Sequence, residues 1–509
     1  MVKRLIYVTE PRLRFGYGQA LEDPRDGLTL FGPLDRGGVY GVRGGVIGTA
    51  EGIRRFEKWV RVIQAPISDA ESEAQALFRP FFPGFETVFG IPWSPTPQLQ
   101  IGVDPVELNN CLHIADRHQR VYKTVDLFAK QILNAKRQEE QQIDVWFVVI
   151  PDDVHKYCRP KSVVEASLRQ QEDLAVSSAE AKRFLKDPSL FAALNEAVET
   201  HRYEPDFHNQ LKARLLLSEA PLQVIQESTL APEDFLTPLG RPRRRVDKPS
   251  TVAWNVCSTA FYKASGRPWK LHYIRKGVCY LGLVFKRDDR EGDTKKACCA
   301  AQMFLDSGDG VVFKGAVGPW YSPDNREYHL SGSSARDVVA LALETYAKRS
   351  EDGKPPRELF IHGRIRFNDE EWEGFTSACT SATRLVGVRI RRATHLKLFS
   401  RGDYPIARGL AYLQSHRDAY LWTVGFIPRL QTYIGKEVPN PIFVEICRGE
   451  ASIVRVLSDV LALTKLNYNA CVFGDGEPVT LKFADAVGEI LTAAPLSAAT
   501  PPLPFKYYI

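Results

Sequence analysis

FHNQLKARLLLSEAPLQVIQES, residues 207–228, and TVAWNVCSTAFYKASGRPWK, residues 251–270, decide how this 509-residue chain is read. In the first, Leu211, Leu215 and Leu216 recur with a helical period. A short strand, Pro221 to Ile225, follows and carries Gln223. In the second, an apolar helix ends at Lys263, with Gly266 as its expected C-cap. His208 and Lys212 stand four apart, so a helix sets both on one face. An imidazole, the ammonium groups of Lys212 and Lys263 and the amide of Gln223 would then converge on one small anion. A terminal phosphate suits that set, because lysine supplies a point charge while Gln and His supply directed donors. Spacing alone does not single the set out, since His and Lys at i, i+4 are common on solvated helix faces.

Working outward, the alternation continues. Val121–Gln138 reads as a helix with Val125, Leu127, Phe128, Ile132 and Leu133 on its apolar side. VWFVVI, residues 145–150, is a continuous apolar run ending in Pro151-Asp152-Asp153. A parallel strand buried on both faces reads this way before the loop at its C-terminal end. Helix and strand alternate up to Gly266, which predicts a doubly wound α/β domain. A charged, helical insertion is expected at about 161–204. Upstream, residues 1–34 read as strands and turns punctuated by Pro and Gly, Val39–Gly48 as a glycine-rich strand pair, and Ile53–Val62 as a short amphipathic helix.

Past Pro268-Trp269-Lys270 the pattern changes. Gly277–Lys286, Ala297–Phe304 and Gly310–Val317 read as an antiparallel meander joined by Gly- and Asp-rich turns. A helix Ser334–Lys348 follows, capped by Ser333 or Ser334, then a strand Glu358–His362 and a helix Asp369–Cys379. A strand Arg384–Ile390, a hairpin around Ser415–Asp418, a strand Ile442–Ile446 and a helix Ala451–Leu463 complete the series. The order β-β-β-α-β-α is that of the ribonuclease-H architecture.

Composition narrows the class. The chain is 44% hydrophobic and 25% charged, ordinary for a globular protein. A net charge of +6 and a pI near 8.7 permit a polyanionic partner without demanding one. Its nine cysteines form no C-x-x-C pair, and several sit in apolar runs, so neither a zinc site nor a disulfide framework is expected. A reducing cytoplasm fits. MVKRLIYVTEPRLRF lacks the apolar core of a signal peptide. Val145–Ile150 and Val338–Leu343 are too short to span a membrane.

The ordered set FVVIPDD, His208–Lys212–Gln223–Lys263, YLGLVF, LFIHGR and LTKLNYNACVFGDGEPVTLKFADAVGEIL resembles the MID and PIWI domains of an Argonaute. EPRLRFGYG and DGLTLFGPL resemble the linker that precedes MID in that family. The resemblance covers nearly the whole chain and is greatest to short prokaryotic Argonautes, which lack the N and PAZ domains. It implies a linker-like segment at 1–38, a Rossmann-like MID domain at 39–268, and a ribonuclease-H-like PIWI domain with a mixed sheet at 269–509. It further implies that His208, Lys212, Gln223 and Lys263 hold the 5′ phosphate of a guide RNA. His208 departs from the more usual tyrosine, although either can donate to phosphate and stack on a first base. The Ile509 carboxylate is implied as a ligand to a magnesium ion at that phosphate.

A ribonuclease-H nuclease holds two metal ions about 4 Å apart between carboxylates. Val284 stands where the first-strand acid belongs, and Arg364 stands just past the fourth strand, where another belongs. Asp306, Asp309, Asp475 and Asp485 read as turn residues or a helix start. The expectation is therefore a chain that is not itself an enzyme; a catalytically active guide-directed nuclease is the alternative, and a scaffold without nucleic acid a third reading. The resemblance implies a cytoplasmic defence sensor against plasmids or phage, paired in a heterodimer with a TIR–APAZ or, less favoured, a Sir2–APAZ protein. That partner would deplete NAD once a single-stranded DNA target pairs with the guide, with a higher oligomer possible on target binding. Arg241, Arg243, Arg244 and Arg245 in a loop, and Arg389, Arg391 and Arg392 at a strand end, are candidate phosphate contacts.

Overall fold

The computed structural model describes residues 4–38, 40–69, 77–78, 81–138, 142–170, 174–287, 297–305, 310–317, 320–322, 327–350, 352–433, 435–495 and 503–509. Leu99–Gly102, Gly44–Gly48, Val145–Ile150 and Leu222–Gln226, in that spatial order, form an all-parallel sheet. Every residue of Val145–Ile150 is buried. Val145, Phe147 and Val149 enter one apolar cluster with Phe56 and Trp93. Trp146, Val148 and Ile150 enter another with Phe128 and Phe207. Helices thus cover both faces, which is why the run shows no polar alternation. Each buried ring contributes about 1.5–3 kcal/mol through area removed from water.

The second sheet has ten strands. Consecutive neighbours within it are Gly310–Val317, Ala297–Phe304, Val278–Arg287, Glu358–Gly363 and Arg384–Arg392. The first three pair antiparallel, and the last two join parallel to Val278–Arg287. This is the ribonuclease-H order, so the expected mixed sheet is present. Cys279, Leu281 and Leu283 face the helix Gly332–Arg349, while Tyr280 and Val284 face the side packed by Val479–Thr492.

Both termini of the described chain join this second sheet. Arg4–Tyr7 pairs antiparallel with Leu410–Leu413 at one edge, and Leu503–Pro504 pairs with Val311 and Val312 at the other. The early segment is further locked by Glu10, whose carboxylate meets buried Arg408 at 3.0 Å and buried Lys465 at 2.6 Å. Burial alone would raise the Glu10 carboxyl; the two cations together outweigh it and hold it below its ordinary value.

Several local expectations need correction. Pro24–Phe31, read as a turn, is a helix: Asp23 accepts the Arg25 N–H at 2.8 Å and Pro24 occupies the first position, where no amide is required. The helix Gly332–Arg349 is capped by Ser331, not by Ser333 or Ser334, because the Ser331 hydroxyl accepts the Ser334 N–H at 3.2 Å. The helix ending at Lys263 closes through Ser265, the residue with φ +71°, and Gly266 follows it, donating its N–H to the Phe261 carbonyl at 3.0 Å. Gly266 is needed for space: a Cβ there would lie 2.4 Å from the Phe261 ring.

Candidate nucleic-acid interface

The helix Phe207–Leu215 starts at Asp206, whose carboxylate accepts the Asn209 N–H at 2.9 Å. Phe207, Leu211 and Leu215 anchor it in the core. That anchoring turns Lys212 inward, where it is 4% exposed, while His208, one turn earlier, stays open to solvent. Gln223 sits on the edge strand Leu222–Gln226 of the parallel sheet. Lys263 is the last residue of Pro249–Lys263 and is 1% exposed.

These residues meet. The Lys263 ammonium donates to the Leu222 carbonyl at 2.5 Å and to Gln223 Oε1 at 2.7 Å. The Lys212 ammonium donates to the Tyr508 carbonyl at 3.1 Å. His208 Nδ1 lies 3.2 Å from Asn209 Oδ1. Among the described residues no carboxylate lies within ion-pair distance of either lysine. Among the described residues, the acceptors bonded to the two buried ammonium groups are therefore all neutral. An unpaired buried charge is costly, and such groups lose their proton more readily than usual. Burial brings Lys212 down to about 7. Burial, then the charge of Lys212, holds Lys263 well below the lysine range. The charge of Lys212, then burial, pushes His208 down to about 3.

The C-terminal tail reaches the same place. Leu503–Pro504 and Phe505 pack on the second sheet, with the Phe505 ring 5.1 Å from that of Phe483. The chain then crosses to the first domain, where Lys506 donates to Ser265 Oγ at 3.0 Å and Tyr508 accepts from Lys212. Ile509 follows, 5% exposed. The tail docks in the core and also borders the cation pair. Beside it opens a cavity of about 540 Å³, lined by His208, Gln223, Asp206, His155 and Arg159 among others. His155 and Arg159 carried no sequence signal, because only the fold brings the short helix Asp152–Tyr157 and the residues just past it to this wall. The cavity wall offers directed donors from Gln223, His208 and Arg159 beside the carboxylates of Asp206 and Glu489, and Lys263 is joined to that wall through its bond to Gln223.

The second domain presents a different cluster. Val284 is buried in the apolar core. Arg364 directly follows the strand Glu358–Gly363, and its guanidinium contacts Glu477 at 3.2 Å and Asp485 at 2.8 Å. Arg392, at the end of Arg384–Arg392, donates to Glu477 at 2.7 Å. Asp485 lies inside the helix Val479–Thr492, not at its start, and buried Asp475 pairs with Lys482. Asp306 and Asp309 lie outside the described residues. Of the other basic candidates, Arg389 lies 3.5 Å from Glu445, Arg391 stacks on the Phe443 ring at 5.2 Å, and Arg244 donates to Ser228 at 2.5 Å. Glu477 was missed in the sequence because GDGEP reads as a turn.

No family model and no curated protein matches the chain. Solved structures do match. That of Clostridium butyricum Argonaute bound to a guide DNA and a 19-mer target DNA aligns with a TM-score of 0.61 at 14% identity, over 97% of this chain and 54% of that one. Aquifex aeolicus Argonaute aligns with a TM-score of 0.55 at 16% identity, over 99% and 57%. Drosophila Piwi aligns with a TM-score of 0.59 at 13% identity, over 100% and 56%. The fold is therefore Argonaute-like, a MID-like domain followed by a ribonuclease-H-like PIWI domain, and the chain spans about half the length of the structures it matches.

Proposed function

We propose that this chain is a guide-dependent nucleic-acid sensor of the short, MID–PIWI Argonaute type. A 5′-phosphorylated guide RNA binds through His208, Lys212, Gln223 and Lys263, and a complementary single-stranded DNA pairs with it. The observation that carries this reading is the pair of buried ammonium groups that, among the described residues, have no carboxylate partner. A terminal phosphate supplies the missing charge. The Clostridium butyricum structure, which holds a guide and a target DNA on the same fold, supports the assignment by analogy.

In this reading the chain does not cut its target. Two-metal cleavage needs carboxylates free to bind cations. Val284 offers none, and Arg364 already engages Glu477 and Asp485. Magnesium at the guide phosphate is compatible with the donors present: the Ile509 carboxylate and the phosphate itself are the hard oxygens it takes, with water completing the shell. Two ammonium groups nearby would repel the ion alone, so it would enter with the phosphate. Such a metal would screen the phosphate charge; Lys212 and Lys263 hold and orient the group.

A bound duplex that is not cut must be read by something else. We assign that role to a TIR–APAZ partner, with Sir2–APAZ second, consuming NAD in a cytoplasmic defence response to plasmids or phage. Among the described residues no helix is long and apolar enough to cross a membrane. Target binding switches the partner only if the duplex favours the assembly state in which that partner is active. The test is to mix the heterodimer with guide RNA, complementary single-stranded DNA and NAD. NAD loss should require both strands. Target cleavage by the 509-residue chain alone would establish the nuclease reading instead.

A further inference from the structure

Three strands of the second sheet, Val278–Arg287, Glu358–Gly363 and Arg384–Arg392, run parallel, so their carboxyl ends open on one side. In open α/β sheets the crevice at those ends is where ligands bind. Here it is lined by guanidiniums. Arg364 leaves the end of one strand and Arg392 ends the next, and both reach Glu477, which is only 8% exposed. Arg389 lies on the same strand, its Nε 3.4 Å from the Arg364 carbonyl. Arg366 joins through Glu445, which it shares with Arg389. Four guanidiniums thus face three carboxylates.

We propose that Arg364 and Arg392 form a metal-independent clamp for one backbone phosphate of the bound nucleic acid. The inference rests on the guide-and-target reading above. Glu477 is the fixed point: held by both arginines, it aims their forks in one direction. Arg364 and Arg392 keep 35% and 75% of their side chains exposed, so each has donors left to offer. Asp485, 53% exposed, is the more solvated partner. The Arg364–Asp485 pair is partly solvated, and such pairs contribute little, so a phosphate can displace Asp485 from Arg364 at little cost. Guanidinium matches a phosphate edge with two parallel hydrogen bonds, which a solvated surface pair does not exploit. The cations thereby occupy the place that a metal pair would fill in a nuclease.

The test uses the full chain loaded with 5′-phosphorylated guide RNA and titrated with complementary single-stranded DNA. Neutral methylphosphonate linkages are walked along the target in one arm and along the guide in the other. Wild type should lose affinity at one or two adjacent linkages in one arm, which identifies the strand, and the loss should persist in chelator. In Arg364→Ala/Arg392→Ala that position-specific loss should vanish, target affinity should fall about tenfold, and the slope of log K against log salt should shrink by about 1. Because removing both arginines strands buried Glu477, the same measurements are made on Arg364→Ala/Arg392→Ala/Glu477→Gln, which leaves no uncompensated carboxylate at that buried position. Lysine at both positions should restore salt dependence without full affinity. A methylphosphonate profile unchanged in the triple variant overturns the clamp while leaving guide loading intact. Failure of wild type to load guide at all overturns the sensor reading instead.

Discussion

The ammonium of Lys212 donates to the backbone carbonyl of Tyr508 at 3.1 Å, joining residues 296 positions apart. The contact ties the helix that carries the cation site to a tail anchored on the other sheet. A neutral carbonyl satisfies one donor of the ammonium and leaves its charge uncompensated.

Replacing Lys212 and Lys263 by Ala should abolish discrimination between 5′-phosphorylated and 5′-hydroxyl guides. Each charge-assisted contact is worth about 1.5–3 kcal/mol. Fluorescence anisotropy with the two guides reads the ratio directly. A ratio as large as that of wild type would refute the phosphate assignment.

Guide affinity should depend on pH with a definite sign. Lys212 is brought to about 7 in the free protein, and a bound phosphate would raise it again. Below pH 7 the ammonium is already present and binding is strongest. Above it each bound guide must bring a proton, so affinity falls by up to about tenfold per pH unit. The phosphate loses its second charge below about pH 6, which bounds the optimum from the other side. A 5′-hydroxyl guide should show no such slope between pH 7 and 9.

Glu10→Gln should destabilise the protein by about 3 kcal/mol, since it strands buried Arg408 and Lys465. The Glu10 carboxyl lies below its unfolded value of 4.5. Its contribution is therefore complete above that value and is lost as pH falls through the lower folded one. Melting curves recorded at pH 7 and pH 4 should differ less for the variant than for wild type.

Gly282→Ala should be far more damaging than Gly402→Ala. A Cβ at Gly282 would lie 1.9 Å from the Thr480 carbonyl oxygen, whereas at Gly402 nothing lies within 4 Å. The helix Val479–Thr492 would have to lift off the strand two residues from Val284. A cost of about 1–3 kcal/mol or more is expected, against almost none at Gly402. Calorimetry of the two variants makes the comparison, and equal melting would show that this helix adapts freely.

Two kinds of sheet, and their order, were readable from local residue patterns alone. Val145–Ile150 is apolar throughout because helices cover both its faces, and that burial is written in the residues. The meander and the parallel strands that follow were legible for a similar reason: turn chemistry and apolar periodicity act over a few residues. His208, Lys212, Gln223 and Lys263 were legible as a set, and the fold does bring them together. Only tertiary structure decided the rest. No local pattern tells that a lysine on a helix will be buried without a carboxylate, that the short helix carrying His155, with Arg159 just past it, returns beside it, or that Glu477 will be shared by Arg364 and Arg392. Nor does DPRDG distinguish a turn from a capped helix until packing selects one. Propensity and periodicity are summed over neighbours along the chain, whereas charge compensation is settled by whatever the fold places within about 4 Å, and those partners come from hundreds of residues away.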